Sequence, residues 1–237
     1  MKIGDLVYES DGITIVYEEK ELINDTPSEI TLNKLGEPDT VLTVIVTAED
    51  GVNKNEYQIV IKRPYGILKG EVYVSPTASK GIHRATIRVY SRQVVNEIID
   101  WNTVSEDALD DLHSKLLTLD SNNVDTNDDG TFEIYVIPGT YDVLIDKPGY
   151  LDHICTGKIV QSNTEIDLGK KDLIPGDINK DGCVQLQDLS MLMNVYGIDS
   201  TSENYDIMYD FNEDSQVQLQ DMSLISSNYS EIRKVEK

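Results

Sequence analysis

A twelve-residue pattern written twice near the C-terminus limits what this chain can fold into more than any other feature. The first copy sets Asp177, Asn179, Asp181, Gly182, Cys183, Gln185 and Asp188 at loop positions 1, 3, 5, 6, 7, 9 and 12. The second sets Asp210, Asn212, Asp214, Ser215, Gln216, Gln218 and Asp221 at the same positions. Oxygen-bearing side chains at 1, 3, 5 and 12, with a backbone carbonyl at 7 from Cys183 or Gln216, wrap a chain around a hard cation. That is the chemistry of Ca²⁺, which takes about six to eight oxygen ligands. Asp188 and Asp221 would close the two cages, and Gln185 and Gln218 would ligate directly or through water. Gly182 suits the positive φ of the sharp turn. Ser215 stands in its place in the second loop at a cost of about 1 kcal/mol, which makes the second site the weaker one. Asp/Asn/Gly clusters also mark plain turns. Two at equal length, each leading into an apolar helical pattern, favour metal.

The repeating unit is a loop followed by a helix. Leu189, Leu192 and Tyr196 recur at helical spacing after the first loop, and Met222, Ile225 and Tyr229 after the second. Pro175 stops any helix from entering the first loop, and position 12 is Asp where an EF-hand usually has Glu. Residues 176–197 align with 209–230 without a gap, and ten of twenty-two positions are identical.

Over residues 175–231 this duplicated D-x-N-x-D-x-x-V-x-x-x-D pattern resembles the dockerin domains of cellulosomes. The resemblance implies two Ca²⁺ and a cohesin domain of a scaffolding or cell-surface protein as partner. It also implies an extracellular location, secreted or cell-surface associated. Partner choice in that family lies at loop positions 10 and 11 and on the following helix face. These are Leu186, Gln187, Ser190, Met193 and Asn194 in the first copy, and Leu219, Gln220, Ser223, Ser226 and Ser227 in the second. A large apolar residue at position 10 is similar to type II dockerins, whereas many type I members carry a hydroxyl pair. Neither face holds Lys or Arg, so an apolar anchor with a polar rim is expected. The alternative to this reading is that Leu186 and Leu219 are both core residues. The near-identity of the copies leaves binding in two orientations open.

Composition sets bounds. A net charge of −23 on 237 residues leaves nothing to release counterions from phosphates. Neither nucleic acid nor an anionic membrane is therefore expected as a partner, and membrane insertion is not expected either. The C-terminal part carries twelve Asp/Glu against four Lys/Arg, so without calcium it should repel itself and fold poorly. No signal peptide and no run of eighteen apolar residues is legible. Because the resemblance implies secretion, the chain is expected to be a piece of a longer exported protein. Cys155 and Cys183 read as free thiols rather than a disulfide framework.

Upstream, residues 64–174 alternate with period two in Gly70–Val74, Ala85–Tyr90 and Phe132–Val136. Together with Ile137-Pro138-Gly139-Thr140-Tyr141 and Lys147-Pro148-Gly149-Tyr150-Leu151-Asp152, they resemble the carboxypeptidase regulatory-like β-sandwich, in particular the X modules that precede some dockerins. The direct run into Pro175 predicts a rigid unit of X module and dockerin. A helical insert is expected at about 92–124, carrying Leu109, Leu112 and Leu116. Asp125–Gly130 imitates half a calcium loop, but position 12 would be Val136, so a turn is expected there. Residues 1–63 resemble bacterial cadherin-like β-sandwich repeats over 41–63, through Val46-Thr47-Ala48-Glu49-Asp50-Gly51 and Tyr57-Gln58-Ile59-Val60-Ile61-Lys62-Arg63. That domain is expected to be truncated or divergent and to act as a spacer.

The fold class expected is thus multidomain. Two small antiparallel β-sandwich modules, 1–63 and 64–174, precede an all-α calcium-binding domain of duplicated loop and helix, 175–237. His83, His113 and His153 are scattered and no nucleophile motif is present, so no enzyme is expected. The function expected is a non-catalytic, calcium-dependent docking module that assembles or anchors a cellulosome-type complex. Two alternatives are an EF-hand-like calcium sensor or buffer, and a type I dockerin appended to an exported polysaccharide-degrading enzyme.

Overall fold

The computed structural model describes residues 2–9, 12–21, 32–47, 52–75, 84–92, 100–104, 108 and 123–237. Four N-terminal strands, β1 (Lys2–Glu9), β2 (Gly12–Glu21), β3 (Thr40–Thr47) and β4 (Lys54–Ile61), form one antiparallel sheet in the order β2-β1-β3-β4. The β3–β4 pairing runs unbroken from Thr40 opposite Ile61 to Thr47 opposite Lys54. The sandwich expected for 1–63 is represented among the described residues by this single layer.

The second module has two layers. Its strands are β5 (Gly66–Val74), β6 (Thr86–Ser91), β7 (Asn123–Asp125), β8 (Thr131–Val136), β9 (Gly139–Asp146), β10 (Gly149–Tyr150), β11 (His153–Val160) and β12 (Glu165–Leu173). Pro175–Asp177 forms β13 and Lys234–Glu236 forms β14. A five-stranded sheet, β14-β11-β9-β6-β7, faces a three-stranded one, β12-β5-β8. Strand β8 shows why: Thr131, Glu133 and Tyr135 face solvent while Phe132, Ile134 and Val136 are buried. Central strand β9 is instead buried on both faces over Tyr141–Asp146. Tyr141, Val143 and Ile145 join the inter-sheet core. On the other face, Leu144 packs with Tyr90, Ile154 and Trp101, which are roofed by Val104 and Val235. Two pairings are parallel, β5 with β12 and β11 with β14. Both arise because a strand reaches its sheet from elsewhere in the chain rather than through a hairpin.

The boundary near residue 174 is not a hinge. Strand β10 pairs with β13 across it, and β14, after the last helix, returns to lie along β11. One apolar cluster runs from Leu68 and Val72 in the sandwich through Tyr150 to Ile178, Val184, Leu192, Phe211 and Ile225 beyond it. The rigid unit expected from the short connection is what the packing shows. The domain limit at 175–237 is softened, because the last strand belongs to the sandwich sheet. The C-terminal part is also not purely helical, since β13 and β14 lie in it.

Arg233 holds this return. Its guanidinium is buried, lies 3.1 Å from Asp152, and donates to the carbonyls of Trp101 and Val104 at 3.2 Å each. The expected insert at about 92–124 lies mostly outside the described residues. Of it, Asp100–Val104 is seen as the turn that carries Trp101, whose indole donates to Asp142 at 2.9 Å. The turn expected at Asp125–Gly130 is observed, with Asp129 accepting from Thr131 and Asp128 paired with Arg84.

Removing one partner of a buried ion pair costs about 3–5 kcal/mol because the other charge is stranded. We expect Arg233→Ala to lower stability in calcium by about 3 kcal/mol. Urea unfolding followed by fluorescence of the single tryptophan, Trp101, measures this, and a loss below about 0.5 kcal/mol would contradict the role assigned to Arg233.

Candidate functional site

Each twelve-residue loop leads into a nine-residue helix, α1 (Leu186–Asn194) and α2 (Leu219–Ser227). The helices start where they do because the last loop residue, Asp188 or Asp221, sits at the third helical position. From there it accepts the backbone N–H of Gln185 or Gln218 at 2.9 Å, a capping interaction. The same carboxylates reach back to the loop entry. Asp188 accepts from Ile178 and Asn179 at 2.8 and 3.2 Å, and Asp221 from Asn212 at 3.4 Å.

The two loops are copies in geometry as well as sequence. Asn179 accepts from the N–H of Asp181, and Asn212 from that of Asp214. Asp181 and Asp214 each accept from the residue two further on. Positive φ angles fall on Lys180, Gly182 and Gly197, and on their counterparts Glu213, Ser215 and Ser230. Ser215 has φ 73° where Gly182 has 86°, so a side chain does occupy the left-handed position expected of glycine.

Backbone bonds cross between the copies. Val184 donates to Glu231 and accepts from Ser230, while Val217 donates to Ile198 and accepts from Gly197. Each loop is thus braced by the segment that follows the other helix, which gives the domain an approximate two-fold axis.

Asp177, Asp188, Asp210 and Asp221 are all but fully buried. Among the described residues none of the four forms an ion pair, and Oδ1 of Asp177 is buried without any hydrogen-bond partner. Burial pushes the Asp177 carboxyl up to about 7, with Asp188 adding repulsion, and burial likewise raises that of Asp221. Uncompensated buried carboxylates are strongly unfavourable. Asn179, Asp181, Asn212 and Asp214 add further oxygens at the mouths of the loops. An all-oxygen set with an orphaned buried carboxylate oxygen fits a hard cation and nothing softer.

Position 4 of each loop meets the sandwich at one turn, Asp146–Asp152. Lys180 pairs with Asp146 and Asp152 and donates to the carbonyls of Lys147 and Tyr150. Across the two-fold, Glu213 pairs with Lys147 at 3.3 Å. Between them Tyr150 stacks edge-on against Phe211 at 5.7 Å and donates to its carbonyl. Gly149 must be glycine: it has φ 79°, and a Cβ there would lie 2.3 Å from the Met208 carbonyl. These contacts were missed in the sequence, where Lys180 and Glu213 look like solvated charges. The signal that could have found them is that both occupy the same loop position with opposite charge.

All ten residues expected to face a partner are exposed: Leu186, Gln187, Ser190, Met193 and Asn194, with Leu219, Gln220, Ser223, Ser226 and Ser227. The core alternative for the two leucines fails, since Leu186 is 62% and Leu219 60% exposed. The helices bury Leu192 and Ile225 instead. The serines are turned back onto their own helices, Ser190 onto the carbonyl of Leu186 and Ser226 onto that of Met222. Each face therefore presents an isolated apolar side chain, joined on α1 by Met193, amid polar groups.

Residues 175–228 match the family model of the dockerin type I domain. Domains of this family bind calcium. No curated protein matches the chain. Solved structures with similarity include an N-terminal and a C-terminal interface mutant of a type II cohesin–X–dockerin complex from Acetivibrio cellulolyticus. Each is 20% identical, with a TM-score of 0.47 over 70% of this chain and 97% of theirs. BcpA, the major pilin subunit of Bacillus cereus, is 13% identical with a TM-score of 0.31 over 62% of this chain and 41% of its own. No helix among the described residues is long and apolar enough to cross a membrane.

The left-handed Ser215 costs about 1 kcal/mol that glycine would not. Ser215→Gly should raise stability in calcium by that amount, and Gly182→Ser should lower it by about as much, because Gly182 has φ 86°. Equilibrium denaturation of the two variants checks both signs, and equal stabilities would contradict the reading.

Proposed function

We propose that this chain is a non-catalytic docking module that binds a cohesin domain once two Ca²⁺ have been taken up. One ion would be held by Asp177, Asn179, Asp181, the carbonyl of Cys183 and Asp188. The other would be held by Asp210, Asn212, Asp214, the carbonyl of Gln216 and Asp221. The observation that carries the reading is the pairing of opposites in each copy: two buried carboxylates without an ion pair inside, and a large exposed leucine on the helix that one of them, Asp188 or Asp221, caps. Calcium would neutralise the first and so fix the orientation of the second. A sensor or buffer reading has no use for two equivalent exposed leucines held on rigid helices.

Leu186 and Leu219 are the anchors, with Gln187, Ser190, Met193 and Asn194 around one and Gln220, Ser223, Ser226 and Ser227 around the other. Fully desolvated apolar anchors at the centre of an interface are each worth about 2 kcal/mol or more. The cohesin is of the type II kind on this reading. Supporting that are the apolar position 10 and the sandwich, which shares its core with the docking module as a supporting domain would. The dockerin type I model matched by residues 175–228 favours the other type. The setting is extracellular or cell-surface, as part of a cellulosome-type assembly.

Pull-down and calorimetry against type I and type II cohesins, with and without chelator, test the proposal. Binding should require calcium, favour the type II panel, and weaken at least about a thousandfold when Leu186→Asp and Leu219→Asp are combined. Undiminished binding by the double variant would place the interface elsewhere.

The raised carboxyl of Asp177 gives a pH dependence with a definite sign. In the calcium-free fold its value of about 7 lies above the ordinary carboxylate value of about 4. Its contribution to calcium-free stability is therefore present below pH 4 and lost as pH rises through 7. Calcium needs the ionised form, so affinity at the first loop should rise about tenfold between pH 6 and pH 8. Proton release on binding should be near one at pH 6 and near zero at pH 8. Calorimetry in buffers of different ionisation enthalpy reads both, and a pH-independent affinity would contradict it.

A further inference from the structure

Far from the acidic loops, the returning strand brings together three donors of a different chemistry. Strand β11 pairs in parallel with β14 so that His153 lies opposite Lys234 and Cys155 opposite Glu236. Side chains two apart on a strand share a face, which puts His153, Cys155 and Glu236 together on the side of the sheet that faces β12. One imidazole nitrogen, the thiol sulfur and one carboxylate oxygen all lie within 4.8 Å of one another. His153 is 4% and Cys155 0% exposed. Glu236 is part-exposed and touches two groups: Nε2 of His153 lies 3.0 Å from Oε1, and Nζ of Lys171 lies 2.5 Å from Oε2.

An ion-paired lock on the C-terminal strand explains Lys171 and Glu236. It leaves the imidazole unexplained. The 3.0 Å contact with Glu236 serves Nε2 alone, and Nδ1 of this buried histidine has no hydrogen-bond partner. Buried polar groups without partners are rare and costly. A metal ion would satisfy one of its two ring nitrogens directly.

We propose that His153, Cys155 and Glu236 form a site for a borderline divalent transition metal of the Zn²⁺ class, tying the strand after the docking module to the sandwich. Nitrogen, sulfur and oxygen together are a zinc donor set, with three protein ligands and a fourth position left to water on the exposed side of Glu236. Imidazole and thiolate select against Ca²⁺ and Mg²⁺, so this site and the acidic loops would not compete for one ion. The charges close. Binding releases the Cys155 thiol proton to solvent, and M²⁺, thiolate and carboxylate then sum to zero in a buried place. His153 binds neutral, and Lys171 keeps Oε2 while Oε1 turns to the metal.

The test uses the full chain saturated with Ca²⁺ and titrated with Co²⁺ as a spectroscopic substitute. One equivalent should produce a thiolate-to-cobalt charge-transfer absorption that Zn²⁺ abolishes. The band should persist in Cys183→Ser and vanish in Cys155→Ala. Because Cys155 is in the core and its variant could misfold, Glu236→Gln at the part-exposed position serves as the second probe. It should weaken Co²⁺ at least about tenfold and remove the rise in melting temperature that Zn²⁺ gives the parent chain. No charge-transfer band at one equivalent, a band that follows Cys183, or unchanged affinity in Glu236→Gln would overturn the site and leave the cluster as an ion-paired lock. These readouts do not depend on cohesin binding.

Discussion

Four buried carboxylates that form no ion pair among the described residues are the constraint on which the C-terminal half depends. Asp177, Asp188, Asp210 and Asp221 sit where only a cation can make them affordable, and each also performs a backbone task. Asp188 and Asp221 cap α1 and α2, while Asp177 and Asp210 accept from the N–H of Gly182 and Ser215 at the sharp turns. Neutralising the charge and shaping the backbone are therefore one event. The exposed leucines ride on the first turns of the helices that this event fixes.

The sandwich takes part in that event. Its Asp146–Asp152 turn receives Lys180 from one loop and Glu213 from the other, so the pseudo-symmetric domain is gripped at equivalent points by contacts of opposite sign. Arg233 and β14 then close the arrangement from the far end, passing beside Gly182 on the way. A docking surface supported in this manner cannot tilt against its neighbour without breaking a shared core. The module upstream is part of this unit's frame, as the short connection at Pro175 led one to expect.

Much of this was legible in the sequence, for physical reasons. The loop positions follow from ligand count and spacing, and the match of Ser215 to Gly182 marks the strained turn in the sequence itself. The alternation in Phe132–Val136 announced a half-exposed strand. What stayed hidden was tertiary. Lys234-Val235-Glu236 is too short to carry a period, yet it becomes a strand because β11 offers an unpaired edge. Lys180 and Glu213 have no local reason to be partly buried; only the far turn supplies one. Arg233 draws on Trp101, Val104 and Asp152, three places that no local pattern connects to it. The parallel β5–β12 pairing is likewise a matter of return path rather than of propensity.

The central claim is that calcium, the two loops and the sandwich-bound return strand form one cooperative unit on a frame that stands without it. Amide hydrogen exchange, measured residue by residue with calcium and with chelator, tests this most directly. Chelation should lower protection sharply, to that of a marginal fold, across Val184, α1, Val217 and α2, and also at β13 and β14, while β5, β8 and β9 keep theirs. Protection in the loops and in β14 that is unchanged by chelator, or a sandwich that loses its own protection in step, would contradict the account.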